Sequence, residues 1–137
     1  MSRPVHFEIH ASDPARACTF YGDALGWTFE DWSEYAGSPY FGVTTGPEDA
    51  PGINGAIKQR TGDPPAAGAP VRGAVLTVGC EDFDATARMI LSAGGTVALD
   101  KHALPGMAWQ GYFLDTEGSV FGLHQPDPEA GRHPTAR

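Results

Sequence analysis

Apolar and polar residues alternate at the start of the chain. Val5, Phe7 and Ile9 are interleaved with His6, Glu8 and His10, a period-two pattern that predicts a half-buried strand. Helical spacing takes over at once. Ala17, Phe20, Tyr21, Ala24 and Leu25 fall on one apolar stripe of a helix. Asp13 is a strong N-cap, and Pro14 follows at the first helical position, where its missing N–H is not needed. Gly26 supplies the left-handed stop. The stripe needs a cover, and Val5, Phe7 and Ile9 offer the nearest one. The helix is therefore expected over that side of the strand, leaving His6, Glu8 and His10 on the other.

Further alternation predicts strands over residues 27–32, 40–45 and 53–60, with a turn at 33–38 and a loop at 46–52. Prolines and glycines mark residues 61–70 as a linker. The pattern then repeats. A strand over 73–79 leads to Asp82, which caps a second helix carrying Phe83, Ala87, Ile90, Leu91 and Gly94 at helical spacing. Strands over 96–100, 108–115 and 119–124 follow, with a loop at 101–106 and a turn at 116–118. Asp13 and Asp82 lie half a chain apart, so the sequence predicts an internal duplication of a βαβββ unit. The expected organisation is a first module at 1–60, a linker at 61–70, a second module at 71–125 and a disordered tail at 126–137.

Composition narrows the partners. The chain has 137 residues, a net charge of −8 and no cluster of Lys or Arg, which argues against nucleic acid and anionic membrane. Cys18 and Cys80 lack zinc-ligand or CxxC spacing and read as free thiols of a reducing cytoplasm. Arg3, His6 and Glu8 interrupt any apolar leader, and a cytoplasmic protein is expected.

Three titratable groups on one strand face, His6, Glu8 and His10, stand about 6–7 Å apart. They form either a wetted strand face or the floor of a pocket. Glu8 and His10 are the candidate catalytic pair, able to act as general base and acid; the plainer alternative is an ion pair that organises the floor. His6, Tyr40, Asn54, Thr77, Trp109 and His124 are the candidate ligand-binding residues, since pockets are lined by aromatics and a few polar groups. No phosphate-binding loop and no serine nucleophile elbow is present.

Two stretches carry a resemblance. Residues 6–27 hold the strand, Ser12-Asp13-Pro14, Phe20-Tyr21 and Leu25-Gly26. Residues 113–123 read FLDTEGSVFGL, similar to a closing F-x-D-P-E-G-N-x-F-G-L with Thr116 in place of proline. With these motifs the chain resembles the vicinal oxygen chelate superfamily, the glyoxalase/bleomycin resistance/dioxygenase proteins. The resemblance implies an α+β fold of two βαβββ modules forming a curled mixed sheet, with helices outside and a central cavity. It also implies a small-molecule ligand and a homodimer, for which apolar Trp27, Phe29 and Trp32 offer an interface. Family members often chelate a divalent metal through the first and last strand of each module, at positions that fall here near His6, Ala56, Gly73 and Gly122. Only His6 of these can ligate, so neither a metal nor another cofactor is expected. The leading functional expectation is a metal-independent enzyme moving a proton on a small metabolite through Glu8 and His10. The alternatives are a non-catalytic protein that sequesters a drug or metabolite, and a metal-dependent lyase or dioxygenase.

Overall fold

A computed structural model describes residues 3–67 and 75–132. The chain divides into two compact units that part between Pro64 and Pro65.

In the first unit, β1 (Phe7–Ala11) leads into α1 (Pro14–Leu25), followed by β2 (Thr28–Asp31), a short α2 (Ser33–Ala36), β3 (Tyr40–Thr44) and β4 (Gly55–Gln59). The sheet order is β1-β4-β3-β2, with β1 and β4 parallel and the other pairs antiparallel. Asp13 caps α1, its Oδ1 accepting from the Arg16 N–H at 3.1 Å. Gly26 ends the helix at φ 74°, a left-handed conformation that glycine adopts without penalty. Ala17, Phe20, Tyr21 and Ala24 are buried as the stripe predicts, above a sheet that contributes Val43 and the fully buried Ile57. The start of β1 is set by its partner, since β4 begins at Gly55. Pairing begins at Phe7, and Val5 lies outside the strand and is exposed. Trp27 stacks on Tyr21 at 4.8 Å and is 8% exposed, so it belongs to the core and offers no interface.

The second unit repeats the plan. β5 (Thr77–Gly79), α3 (Phe83–Ser92), β6 (Thr96–Leu104), β7 (Ala108–Leu114) and β8 (Val120–Pro126) form a sheet ordered β5-β8-β7-β6. Each unit thus pairs its first strand in parallel with its last, as a duplicated βαβββ element requires. The start of the strand expected over 73–79 lies outside the described residues. Asp82 caps α3 through the Ala85 N–H at 3.0 Å. Phe83 and Ile90 are buried with Phe113, Phe121 and Leu123; Leu91 turns outward and is exposed.

Two segments of the second unit differ from the expected pattern. Residues 101–104, expected in a loop, extend β6 as far as Leu104, because β7 pairs with them through His102, Ala103 and Leu104. Residues 127–132, expected in a disordered tail, fold back on the β6–β7 turn. Gly106 N–H donates to the Ala130 carbonyl at 2.9 Å, Ala130 is fully buried, and the Trp109 indole donates to Asp127 Oδ2 at 3.1 Å. The last five residues of the expected tail, 133–137, lie outside the described residues. Thr116, where the family pattern has proline, buries an Oγ1 with no hydrogen-bond partner among the described residues.

Candidate functional site

Strand register builds the site in the first unit. Glu8 lies opposite Ala56, and Ala56 opposite Gly42. His10 lies opposite Lys58, and Lys58 opposite Tyr40. Residues in register share a sheet face, so the polar side of β1 and the Tyr40 side chain stand on one surface. Strand β4 lies between them, with Ala56 opposite Glu8 and Lys58 opposite Tyr40.

Four side chains link across that surface. The Tyr40 hydroxyl donates to Glu8 Oε2 at 3.0 Å. His6 Nε2 lies 3.3 Å from the Tyr40 oxygen, and His10 Nε2 lies 3.3 Å from Glu8 Oε1. Because Tyr40 gives its proton to Glu8, His6 Nε2 must be the donor to Tyr40. A carboxylate only accepts, so His10 Nε2 donates to Glu8. The result is a directional chain, His6 to Tyr40 to Glu8, with His10 entering from the far side. Partial burial pushes the Glu8 carboxyl up, but the hydrogen bonds from His10 and Tyr40 and the charge on the two histidines outweigh it and hold Glu8 below its ordinary value. Burial, with the hydrogen bond to Glu8 and its negative charge, pushes the Tyr40 phenol up. At neutral pH the pair is therefore a carboxylate and an intact phenol.

An aromatic cleft adjoins this chain. Trp32 and Tyr40 lie near-parallel, 6.4 Å apart with 20° between planes. The Trp32 ring rests over Gly42, where a Cβ would stand 2.6 Å from it. Trp32, Tyr35, Ala36 and Tyr40 line an open cleft of about 350 Å³. The backbone pins both ends: Trp32 N–H donates to the Tyr40 carbonyl at 2.9 Å, and Tyr40 N–H to Ser33 Oγ at 3.1 Å. Tyr40 serves both features, one face toward Trp32 and its hydroxyl on Glu8.

Trp32 and Tyr35 join the cleft without a signal in the strand pattern. The short α2 brings them to the cleft from a segment expected to be a plain turn. Asp31 Oδ1 accepting from Ser33 N–H at 2.8 Å and left-handed Gly37 after Ala36 bound that helix. An Asp two residues ahead of Ser-Glu-Tyr-Ala-Gly is the sequence signal for it.

The other candidates separate. Asn54 is a loop clasp, its Oδ1 accepting from Thr45 N–H at 2.9 Å. In the second unit His124 lies opposite Gln110, and Thr77 and Tyr112 both lie opposite Gly122, so these side chains share a face. Trp109, one residue out of phase with Gln110, takes the opposite face. Lys101 Nζ stands 4.7 Å from its ring and 5.5 Å from that of Phe83 on α3. Trp109 is thereby assigned to the helix side of the sheet and away from His124. Cys18 and Cys80 are free; burial pushes the Cys18 thiol up to about 11, far from a reactive thiolate.

The donors for a divalent metal do not fit. Ala56 has no ligating atom. At Gly122 even a Cβ would lie 3.1 Å from Thr77 Oγ1 and 3.2 Å from Gln110 Nε2, so no carboxylate replaces it without displacement. Gly73 is outside the described residues. Among the described residues, no group of three His, Cys, Asp or Glu is placed to hold a metal ion.

A family described as bleomycin resistance protein-like N-terminal matches residues 3–37, the segment that carries β1, α1 and Trp32. No curated protein matches the chain. Solved structures do. A glyoxalase/bleomycin resistance protein/dioxygenase family enzyme from Burkholderia phytofirmans PsJN is 17% identical, with a TM-score of 0.64 over 88% of this chain and 95% of its own. TioX from Micromonospora sp. ML1 is 19% identical, with a TM-score of 0.63 over 90% and 98%. The fosfomycin resistance protein FosX from Listeria monocytogenes, solved as a mutant with Mn(II), is 16% identical, with a TM-score of 0.67 over 90% of each chain. With its two four-stranded mixed sheets in a repeated βαβββ order, the chain has the fold of the vicinal oxygen chelate superfamily, the glyoxalase/bleomycin resistance/dioxygenase proteins.

Proposed function

We propose that this protein binds a planar aromatic small molecule bearing a positive charge, and that binding rather than turnover is its function. The observation that carries the reading is Tyr40, which presents a ring beside Trp32 while its hydroxyl holds the Glu8 carboxylate. Aromatic faces attract cations, and the adjacent carboxylate supplies the counter-charge. The net charge of −8 draws the same class of ligand. A Glu8 held below its ordinary value suits a fixed anion better than a general base, which works best with a pKa near the operating pH.

Titration with proflavine, a planar cation, tests this through quenching of tryptophan fluorescence. Saturable binding is expected, weakened about tenfold in Glu8→Gln with little change in melting temperature, because the site is solvent-facing. The pH dependence has a fixed sign. A depressed carboxyl pKa means the carboxylate persists down to and below its ordinary value of about 4.3, so the part of the affinity that Glu8 supplies is lost only in solution more acid than that. Equal affinity in Glu8→Gln at pH 7 would contradict the assignment.

A second reading is supported by the directional chain itself. His6, Tyr40, Glu8 and His10 are hydrogen-bonded in series, an arrangement able to move a proton between a bound ligand and the histidines. Chemical change of a bound ligand, abolished in Glu8→Gln while binding is only weakened, would put this reading first.

Metal independence is part of the proposal, and rests on the missing donors at Ala56 and Gly122. Elemental analysis of protein purified without tag or chelator should give far less than one equivalent of Zn, Ni, Fe or Mn per chain. Near-stoichiometric metal that is lost in His6→Ala would move the lyase or dioxygenase reading to the front.

A homodimer in the cytoplasm completes the proposal. No helix among the described residues is long and apolar enough to cross a membrane. With Trp27 in the core, the second unit still exposes Met89 and Leu91 on α3 and Val97 and Leu99 on β6, apolar side chains available to a partner copy. Light scattering at micromolar concentration should give twice the 14.5 kDa chain mass; a monomer mass would refute this element.

A further inference from the structure

The second unit carries a polar constellation that the first-unit site does not use. Gln110 sits at the middle of β7 and is only 7% exposed. A buried amide is unfavourable unless it is hydrogen-bonded, and its Oε1 lies 2.6 Å from His124 Nδ1, directly across the β7–β8 pair. Its other end points elsewhere. Gln110 Nε2 is directed over Gly122, converging with Thr77 Oγ1 and the Tyr112 ring on the place a Cβ would take. The amide oxygen thus faces the imidazole, and the amide nitrogen lies over Gly122.

This orientation fixes the imidazole. An amide oxygen only accepts, so the short contact requires His124 Nδ1 to carry the hydrogen. The neutral ring then has its lone pair on Nε2, the tautomer opposite to the one that His6 and His10 need to donate from Nε2. We propose that Gln110 is a positioning residue that holds His124 as a hydrogen-bond acceptor, and that His124 Nε2 thereby takes a hydrogen-bond-donating hydroxyl of a ligand on the polar face of the second unit. Thr77 and Tyr112 lie on the same face one pair along, on either side of Gly122. Glycine at 122 is what lets Gln110, Thr77 and Tyr112 close together there, since a larger residue would meet all three within 3.1–3.2 Å. The inference does not depend on the aromatic cleft of the first unit.

Nitrogen NMR of the histidine rings in the intact protein is the test. In the neutral state, His124 Nε2 should resonate as an unprotonated nitrogen and Nδ1 as a protonated one. Gln110→Glu keeps an oxygen acceptor and should keep that tautomer. Gln110→Leu removes the acceptor and should shift the ring toward the Nε2–H form, with the other histidines unchanged. Phenol added to the wild type should move the Nε2 resonance saturably, whereas anisole, of similar shape but with no donor, should leave it in place. An Nε2–H tautomer in the wild type, or the same tautomer in Gln110→Leu, would overturn the positioning role. An equal response to phenol and anisole, or none to either, would overturn the ligand class. Should Gln110→Leu fail to fold, Gln110→Met supplies the same comparison.

Discussion

Phe20→Ala is expected to lower the stability of the protein by about 3–5 kcal/mol, the range for deleting a buried aromatic ring. Phe20 is 1% exposed and among the largest fully buried side chains. It sits on the stripe of α1 that contacts β1, β3 and β4, and its ring meets Tyr21 edge-on at 5.0 Å. Tyr21 in turn stacks on Trp27, and Trp27 packs on Phe7 at 5.6 Å. Removing Phe20 leaves a void beneath a chain of rings, none of which is free to collapse into it without breaking the next contact. A loss of that size is a large part of the roughly 5–15 kcal/mol that holds a domain together. Urea unfolding followed by far-ultraviolet dichroism reads it; a midpoint change worth less than about 1 kcal/mol would mean that α1 does not seat on the sheet through Phe20.

Gly42→Ala should leave the fold largely intact and remove the aromatic cleft. The added Cβ would stand 2.6–2.7 Å from three atoms of the Trp32 ring, closer than packed atoms approach. All three nearest atoms belong to the Trp32 side chain, so the ring is the group that gives way. Trp32 is 38% exposed and can swing toward solvent, leaving Tyr40 unaccompanied. The expected outcome is a loss of proflavine affinity of about tenfold, which corresponds to about 1.4 kcal/mol, and a smaller stability change. Tryptophan emission reports the movement independently as a red shift. Unchanged affinity and emission would show that the Trp32 ring does not occupy the seat above Gly42.

The elements legible in the sequence are those whose signals are local. β1 and α1 follow from alternation, an Asp-Pro start and a Gly stop, all within the segment, and the repeat of that signature at Asp82 gives the duplication. Glu8 and His10 are two residues apart on one strand, so their contact at 3.3 Å needs nothing but strand geometry. Tyr40 is different. It reaches Glu8 across β4, which lies between β1 and β3, past the small Ala56 opposite Glu8, neither of which a single strand announces. Strand β6 runs on to Leu104 because β7 pairs with it, a non-local cause that overrides a stretch reading as loop. Trp109 reads as a ligand residue by its aromatic character, while its strand phase turns it toward α3. One residue of register separates the two faces of the strand.

The crystal structure of the protein soaked with proflavine tests the central claim most directly. The account predicts the acridine ring against Trp32 and Tyr40, with an amino group directed at the Glu8 carboxylate and the Tyr40–Glu8 hydrogen bond retained. Proflavine bound elsewhere with the Trp32–Tyr40 cleft empty, at a concentration that quenches tryptophan fluorescence to saturation, would contradict it.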